Sequence, residues 1–142
     1  MLAPAATAIR SFIAAGYTGL TIRWPNEAIP PERDAGQAYI EAEIIGGRNA
    51  IRGFSRPGNR LFVHPGLVRF YIHAPWPDGM DGALATADTL AALLERIDIE
   101  APARPQIVRT QDFSVYDDVA SAEEGNFAVL MCSVPFDFYY HR

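Results

Sequence analysis

The sequence predicts an α+β fold: a mainly antiparallel, twisted sheet of about five strands with two helices packed on it, in one domain spanning residues 1–142. Three observations lead there. Val68, Phe70, Ile72 and Ala74 alternate with Leu67, Arg69, Tyr71 and His73, the period-two pattern of a half-buried strand. Leu84, Ala87, Leu90, Ala91, Leu94 and Ile97 form one helical stripe, with Asp88, Thr89, Glu95 and Arg96 opposite. Finally, Phe127 to Phe138 is apolar on both alternating faces, as expected of a central strand covered on two sides.

In chain order, residues 3–15 form a helix with the stripe Leu2, Ala5, Ile9, Phe12 and Ile13; Pro4 suits its first turn and Gly16 its stop. Leu20–Trp24 reads as a short strand. Pro25–Gly36, with Pro30-Pro31 in its middle, reads as an extended loop without helix. A second strand runs from Ala38 to Ile45, placing Tyr39, Glu41 and Glu43 on one face. Arg48, Arg52, Arg56 and Arg60 recur every four residues, but Gly53, Pro57 and Gly58 oppose a helix, so this stretch reads as a long hairpin or arm.

Arg60–Gly66 leads into the strand Leu67–Ala74, which Pro75 and Pro77 end because neither can donate to a ladder. Pro77-Asp78-Gly79 makes a turn, and Asp81 caps a helix reaching Ile97. Ala101–Pro105 is a connector. Gln106–Tyr116 is a strand with Ile107, Phe113 and Val115 on one face, and Asp117–Gly125 is an acidic hairpin loop before the last strand.

Composition is that of an ordinary globular chain, with 49% hydrophobic and 20% charged residues. No apolar run is long enough to cross a bilayer, and the N-terminus has no signal-peptide pattern. The single Cys132 lies in an apolar run and reads as a buried, inert thiol in a chain that folds in a reducing cytoplasm. The net charge of −5 conceals a division. All twelve cationic side chains are arginine, and five of them lie between Glu43 and Asp78, a segment without a carboxylate. Opposite charge blocks suit head-to-tail association or docking on an acidic partner; the alternative is a solvated loop paired within its own fold.

Catalytic patterns are incomplete. Gly53-Phe54-Ser55-Arg56-Pro57 lacks the last glycine of a nucleophile elbow. His64, His73 and His141 lack zinc-site spacing; His64 reads as serving a turn and His73 as lying on an exposed strand face. Asp78 and Asp81 fit turn and cap roles better than a calcium loop, and no phosphate-binding loop precedes a helix. Trp76 is either an exposed anchor or folded back on the sheet. The acidic total and the absence of a recognised motif argue against sequence-specific nucleic-acid binding. The expectation is a protein that is not an enzyme and uses no cofactor or metal.

Four segments, in order, carry a family resemblance: Ile22-Arg23-Trp24-Pro25-Asn26 after the first helix; Arg60-x-x-x-His64-Pro65-Gly66; Ala87-Asp88-x-Leu90; and Val134-Pro135-Phe136. The chain resembles the small tail terminator and tail-completion proteins of long-tailed bacteriophages, and departs from them in its longer Pro75–Gly82 connection with Trp76. The resemblance implies a hexameric ring in the virion, at the head-proximal end of the tail tube. Such a ring stops tube polymerisation, presents a surface to the head-side neck or stopper protein, and lets DNA pass as cargo, with no membrane involved. Within that expectation, the interface candidates are Arg48, Arg52, Phe54, Arg56, Arg60 and Trp76, and the acidic Asp117, Asp118, Glu123 and Glu124, with basic arm and acidic loop meeting across a cyclic interface. The alternatives are a head-side neck protein (stopper or adaptor), a small hydrolase using His64 or His73 with a nearby Asp, and a cytoplasmic binding module.

Overall fold

The fold is taken from a computed structural model that describes residues 2–48, 50–51, 53, 56, 58–75, 79–101, 106–116, 122–124 and 127–142. It is an α+β protein. Helix α1 (Ala3–Gly16) is followed by β1 (Ile22–Arg23), α2 (Pro31–Asp34), β2 (Tyr39–Gly46), β3 (Ala50–Ile51) and β4 (Leu61–Pro75). Then come α3 (Gly79–Leu94), β5 (Asp98–Glu100), β6 (Ile107–Thr110), β7 (Ser114–Tyr116), β8 (Ala122–Glu124) and β9 (Phe127–His141).

All strands belong to one sheet, ordered β1-β2-β4-β9-β6-β5, with β3 also beside β4, and β7 and β8 also beside β9. Three features differ from the sequence expectation. The sheet is mixed, because β1 runs parallel to β2; the intervening loop and α2 carry the chain back to the same end. A third helix exists because Pro31 can occupy a first helical turn, with Glu32 and Asp34 favourably placed near its N-terminus. There are also more strand segments than five. The central strands β4 and β9 are each 15 residues long and pair along their whole length, Leu61 with His141 through Pro75 with Phe127. On its outer side, neither is covered by a single neighbour.

Instead, interrupted strands line their outer sides. Between Gly46 and Ala50 the β2–β3 side carries one residue more than β4 does between Gly66 and Val63. Another single-residue slip separates β6 from β7: Thr110 pairs with Phe136, but Ser114 pairs with Ser133. A slip of one residue reverses which face each side chain takes. Ile107 therefore lies in register with Tyr139 and Val115 with Cys132, so these two do not share a face as the uninterrupted strand predicted.

One sheet face is the core. Val68, Phe70, Ile72 and Ala74 of β4 and Leu130, Cys132, Val134, Phe136, Phe138 and Tyr140 of β9 are buried there. They form a cluster with Ala5, Ile9 and Ile13 of α1 and Ala87, Leu90 and Leu94 of α3. At the N-terminal side, Arg10 lies 5.1 Å over the ring of buried Trp24, tying α1 to the turn after β1. At the other side, Thr110 joins α3 to the sheet: its hydroxyl donates to the Leu94 carbonyl at 2.5 Å and accepts from the Ile97 N–H at 2.8 Å.

Candidate functional site

The alternate positions of β2, β4, β9 and β6 point away from the core cluster and build the second sheet face. On β2 these are Tyr39, Glu41 and Glu43; on β4 they are His73, Tyr71 and Arg69, in direct register with them. The period-two sequence and the antiparallel β2–β4 pairing bring Glu43 opposite Arg69, and the parallel β1–β2 pairing brings Glu41 opposite Arg23. Arg23 Nη1 donates to Glu41 Oε2 at 3.1 Å, and His73 Nε2 lies 3.3 Å from Glu41 Oε1. Arg69 Nη1 donates to Glu43 Oε1 and to the Tyr71 hydroxyl, both at 3.3 Å. The Tyr71 bond, reinforced by Glu43, holds the Arg69 guanidinium above its usual range.

His73 is not on an exposed strand face, as the alternation alone suggested. It is 3% exposed, stacked on Tyr39 at 4.5 Å between ring centroids, with Phe127 edge-on at 6.3 Å. His64 does not serve a turn: it lies within β4, opposite Phe138, and is also buried. The two histidines occupy opposite faces of one strand, since their positions differ by an odd number of residues.

At the β5–β6 side, the same face ends in an open cleft of about 640 Å³ lined by Arg96, Asp98, Arg109, Thr110, Gln111, Asp112 and Asp137. Arg109 binds Asp98 in bidentate fashion, at 2.9 and 3.1 Å, and lies over the Tyr139 ring. Arg96 pairs with Asp112, and Gln111 Nε2 donates to Asp137 Oδ2 at 3.1 Å. The hydrogen bonds from Arg109 and Arg96 hold the Asp98 and Asp112 carboxyls below the usual aspartate value. Arg96 itself occupies the left-handed region, with φ of 51°, just beyond the end of α3.

Among the interface residues expected from sequence, Arg48, Arg56 and Arg60 are exposed. Arg60 and Arg142 exchange backbone hydrogen bonds at 3.0 and 2.9 Å, closing the end of the central β4–β9 pair. Glu123 and Glu124 lie in β8, in register with Ala128 and Phe127, so part of the expected acidic loop is strand. Arg52, Phe54, Trp76, Asp117 and Asp118 lie outside the described residues. Sequence reading missed both charge clusters. The signal for the first was present, since Glu41 and Glu43 share a strand face, but their partners depend on strand pairing.

Among the described residues, no group of three or more His, Cys, Asp or Glu side chains could hold a metal ion, and no helix is long and apolar enough to cross a membrane. Cys132 is fully buried, and burial pushes its thiol up to about 12.

The class these features define is an α+β protein with one helix-covered and one charge-patterned sheet face. No family model matches the chain, and no curated protein does. Thirteen solved chains do match. One has a TM-score of 0.71 at 17% identity, covering 100% of this chain and 98% of that one; its name is only a sequence identifier. That likeness establishes the fold.

Proposed function

We propose that the chain is a structural protein of a long-tailed bacteriophage virion. Six copies form a ring that caps the head-proximal end of the tail tube, stops its polymerisation and presents the surface to which the head-side neck protein joins. The observation that carries this reading is the second sheet face. Its charges are largely matched to one another, through Arg23–Glu41, Arg69–Glu43 and Arg109–Asp98. Between them stand half-buried Leu67, Met131 and Pro135, with exposed Ile45 at the margin. A broad, mixed surface of that kind suits contact with another protein, whereas a small ligand needs an enclosed, mostly apolar pocket.

The four segments behind the resemblance also have structural roles consistent with it: the anchored turn after β1, the start of β4, the buried face of α3, and the middle of β9. The mechanism is capping. One face of the ring matches the last tube ring, the other recruits no further tube subunit, and DNA passes through the channel as cargo. No chemical step is involved.

Native mass spectrometry with negative-stain imaging, on the protein alone and mixed with the tail-tube protein of the same genome, tests this. The expected result is six-fold rings on tube ends. A protein that stays monomeric and ignores the tube overturns it; binding to the head connector but not the tube identifies a neck protein instead.

A further inference from the structure

The cleft at the β5–β6 side is acidic on balance. Asp98, Asp112 and Asp137 line it, against the guanidiniums of Arg96 and Arg109. Asp137 accepts from the neutral Gln111 amide, and among the described residues no cation lies within ion-pair distance of it. Asp98 and Asp112 each hold one guanidinium and keep lone pairs for another donor. The mouth also carries a backbone anomaly. Arg96 takes a positive φ where a helix usually places glycine, so a charged side chain is held there at a conformational cost.

The opposite side of the sheet has the reverse charge. Arg48 and Arg56 are exposed and, among the described residues, have no carboxylate within ion-pair distance. The root of their segment is fixed by the Gly47 N–H donating to the Pro65 carbonyl at 2.7 Å. Gly47, Pro65, Asp137, Arg109 and Asp98 lie on one row across the sheet. Four strand spacings, roughly 19 Å, separate its ends. Exposed arginines beyond one edge and an acidic cleft at the other match between neighbours, not within one rigid sheet. Repetition of such a head-to-tail contact closes a ring when the rotation allows.

We infer that the cleft lined by Asp98, Asp112 and Asp137 receives the basic segment around Arg48 and Arg56 of a second copy of this chain. The inference rests on the ring reading above and names the contact that closes the ring.

The test uses two full-length variants: an arm variant, Arg48→Asp with Arg56→Asp, and a cleft variant, Asp112→Arg with Asp137→Arg. All four positions are on the surface or at its margin, and thermal melts verify folding. Each variant alone is expected to lose the ring signal in native mass spectrometry, measured with and without tube protein. An equimolar mixture is expected to regain it, with arm and cleft variants in equal number. In alternating order each reversed arm meets a reversed cleft, and each native arm meets a native cleft. If either folded variant assembles alone as wild type does, or if the mixture fails to assemble, the inference is wrong while the ring reading stands. If the wild-type chain forms no ring in any condition, both are wrong.

Discussion

Phe136 lies so close over Gly66 that a Cβ on residue 66 would fall 2.3 Å from its Cζ and 2.8 Å from the Ile45 carbonyl oxygen. Gly66 sits opposite Phe136 in the central β4–β9 pair and opposite Gly46 on β2. Two rigid neighbours, one of them backbone, leave no room for a side chain. Gly66→Ala is expected to destabilise the protein by roughly 1–3 kcal/mol through overpacking. Adding Phe136→Leu should recover part of the loss, because the ring atoms that clash are removed. Denaturant melts of the two variants measure both effects; a neutral Gly66→Ala contradicts the packing described.

The Tyr39–His73 stack gives a second prediction. His73 is buried between Tyr39 and Phe127, so His73→Ala removes a stacked ring and leaves a cavity. The expected loss of stability is about 2–4 kcal/mol, from the usual cost of large-to-small core changes. The more conservative His73→Phe keeps the stack but removes the ring nitrogen that lies 3.3 Å from Glu41 Oε1, and is expected to lose less. Thermal melts of the pair distinguish packing from the polar contact with Glu41.

Asp98 and Asp112 predict a pH response. Hydrogen bonds from Arg109 and Arg96 hold these carboxyls below the ordinary aspartate range. A depressed folded pKa means the stabilisation is present above the unfolded value and is lost as pH falls through the folded one. Both pairs are exposed, so the contribution to stability is small and weakens with salt. Carboxyl titration by NMR should give midpoints below the ordinary aspartate value for both. Arg109→Gln should return Asp98, and Arg96→Gln should return Asp112, toward the ordinary value.

Arg96→Gly separates backbone from side chain. Glycine adopts the positive φ of 51° without a Cβ penalty, while the exposed pair with Asp112 is lost. The melting temperature is expected to hold or rise, in contrast to the loss from glycine inside α3, for example at Ala87. A clear fall in melting temperature contradicts this account of the left-handed position.

Cys132 offers a simpler check. Its thiol is buried in the core and held protonated up to about pH 12, so a thiol reagent at neutral pH should label the protein only after unfolding. Rapid labelling of the native chain contradicts its placement in β9.

Alternation makes β2, β4 and the core face of β9 legible in the sequence, because a pleated strand repeats every two residues whatever surrounds it. The same holds for α1 and most of α3, whose buried residues include Ile9, Ile13, Leu90 and Leu94, although Leu84 of the expected α3 stripe is exposed and Ala83 is buried instead. The short elements are not legible. β5 has three residues, and α2 has four in a proline-rich loop, too few for any period to be recognised. The histidines mislead for a related reason. Burial of His73 comes from Tyr39 and Phe127, distant in sequence and brought beside it by pairing on both sides of β4.

The sequence by itself determined the α+β class, the core stripes, the inert cysteine and the division of charge between a basic middle segment and an acidic remainder. These are properties of local period and composition. Tertiary structure alone decided the parallel β1–β2 pair, the one-residue slips and the two clusters on the helix-free face. A charge cluster is a statement about which strands are neighbours and in what register. Cross-strand partners such as Glu43 and Arg69, or Asp98 and Arg109, acquire their distance only when the sheet is assembled.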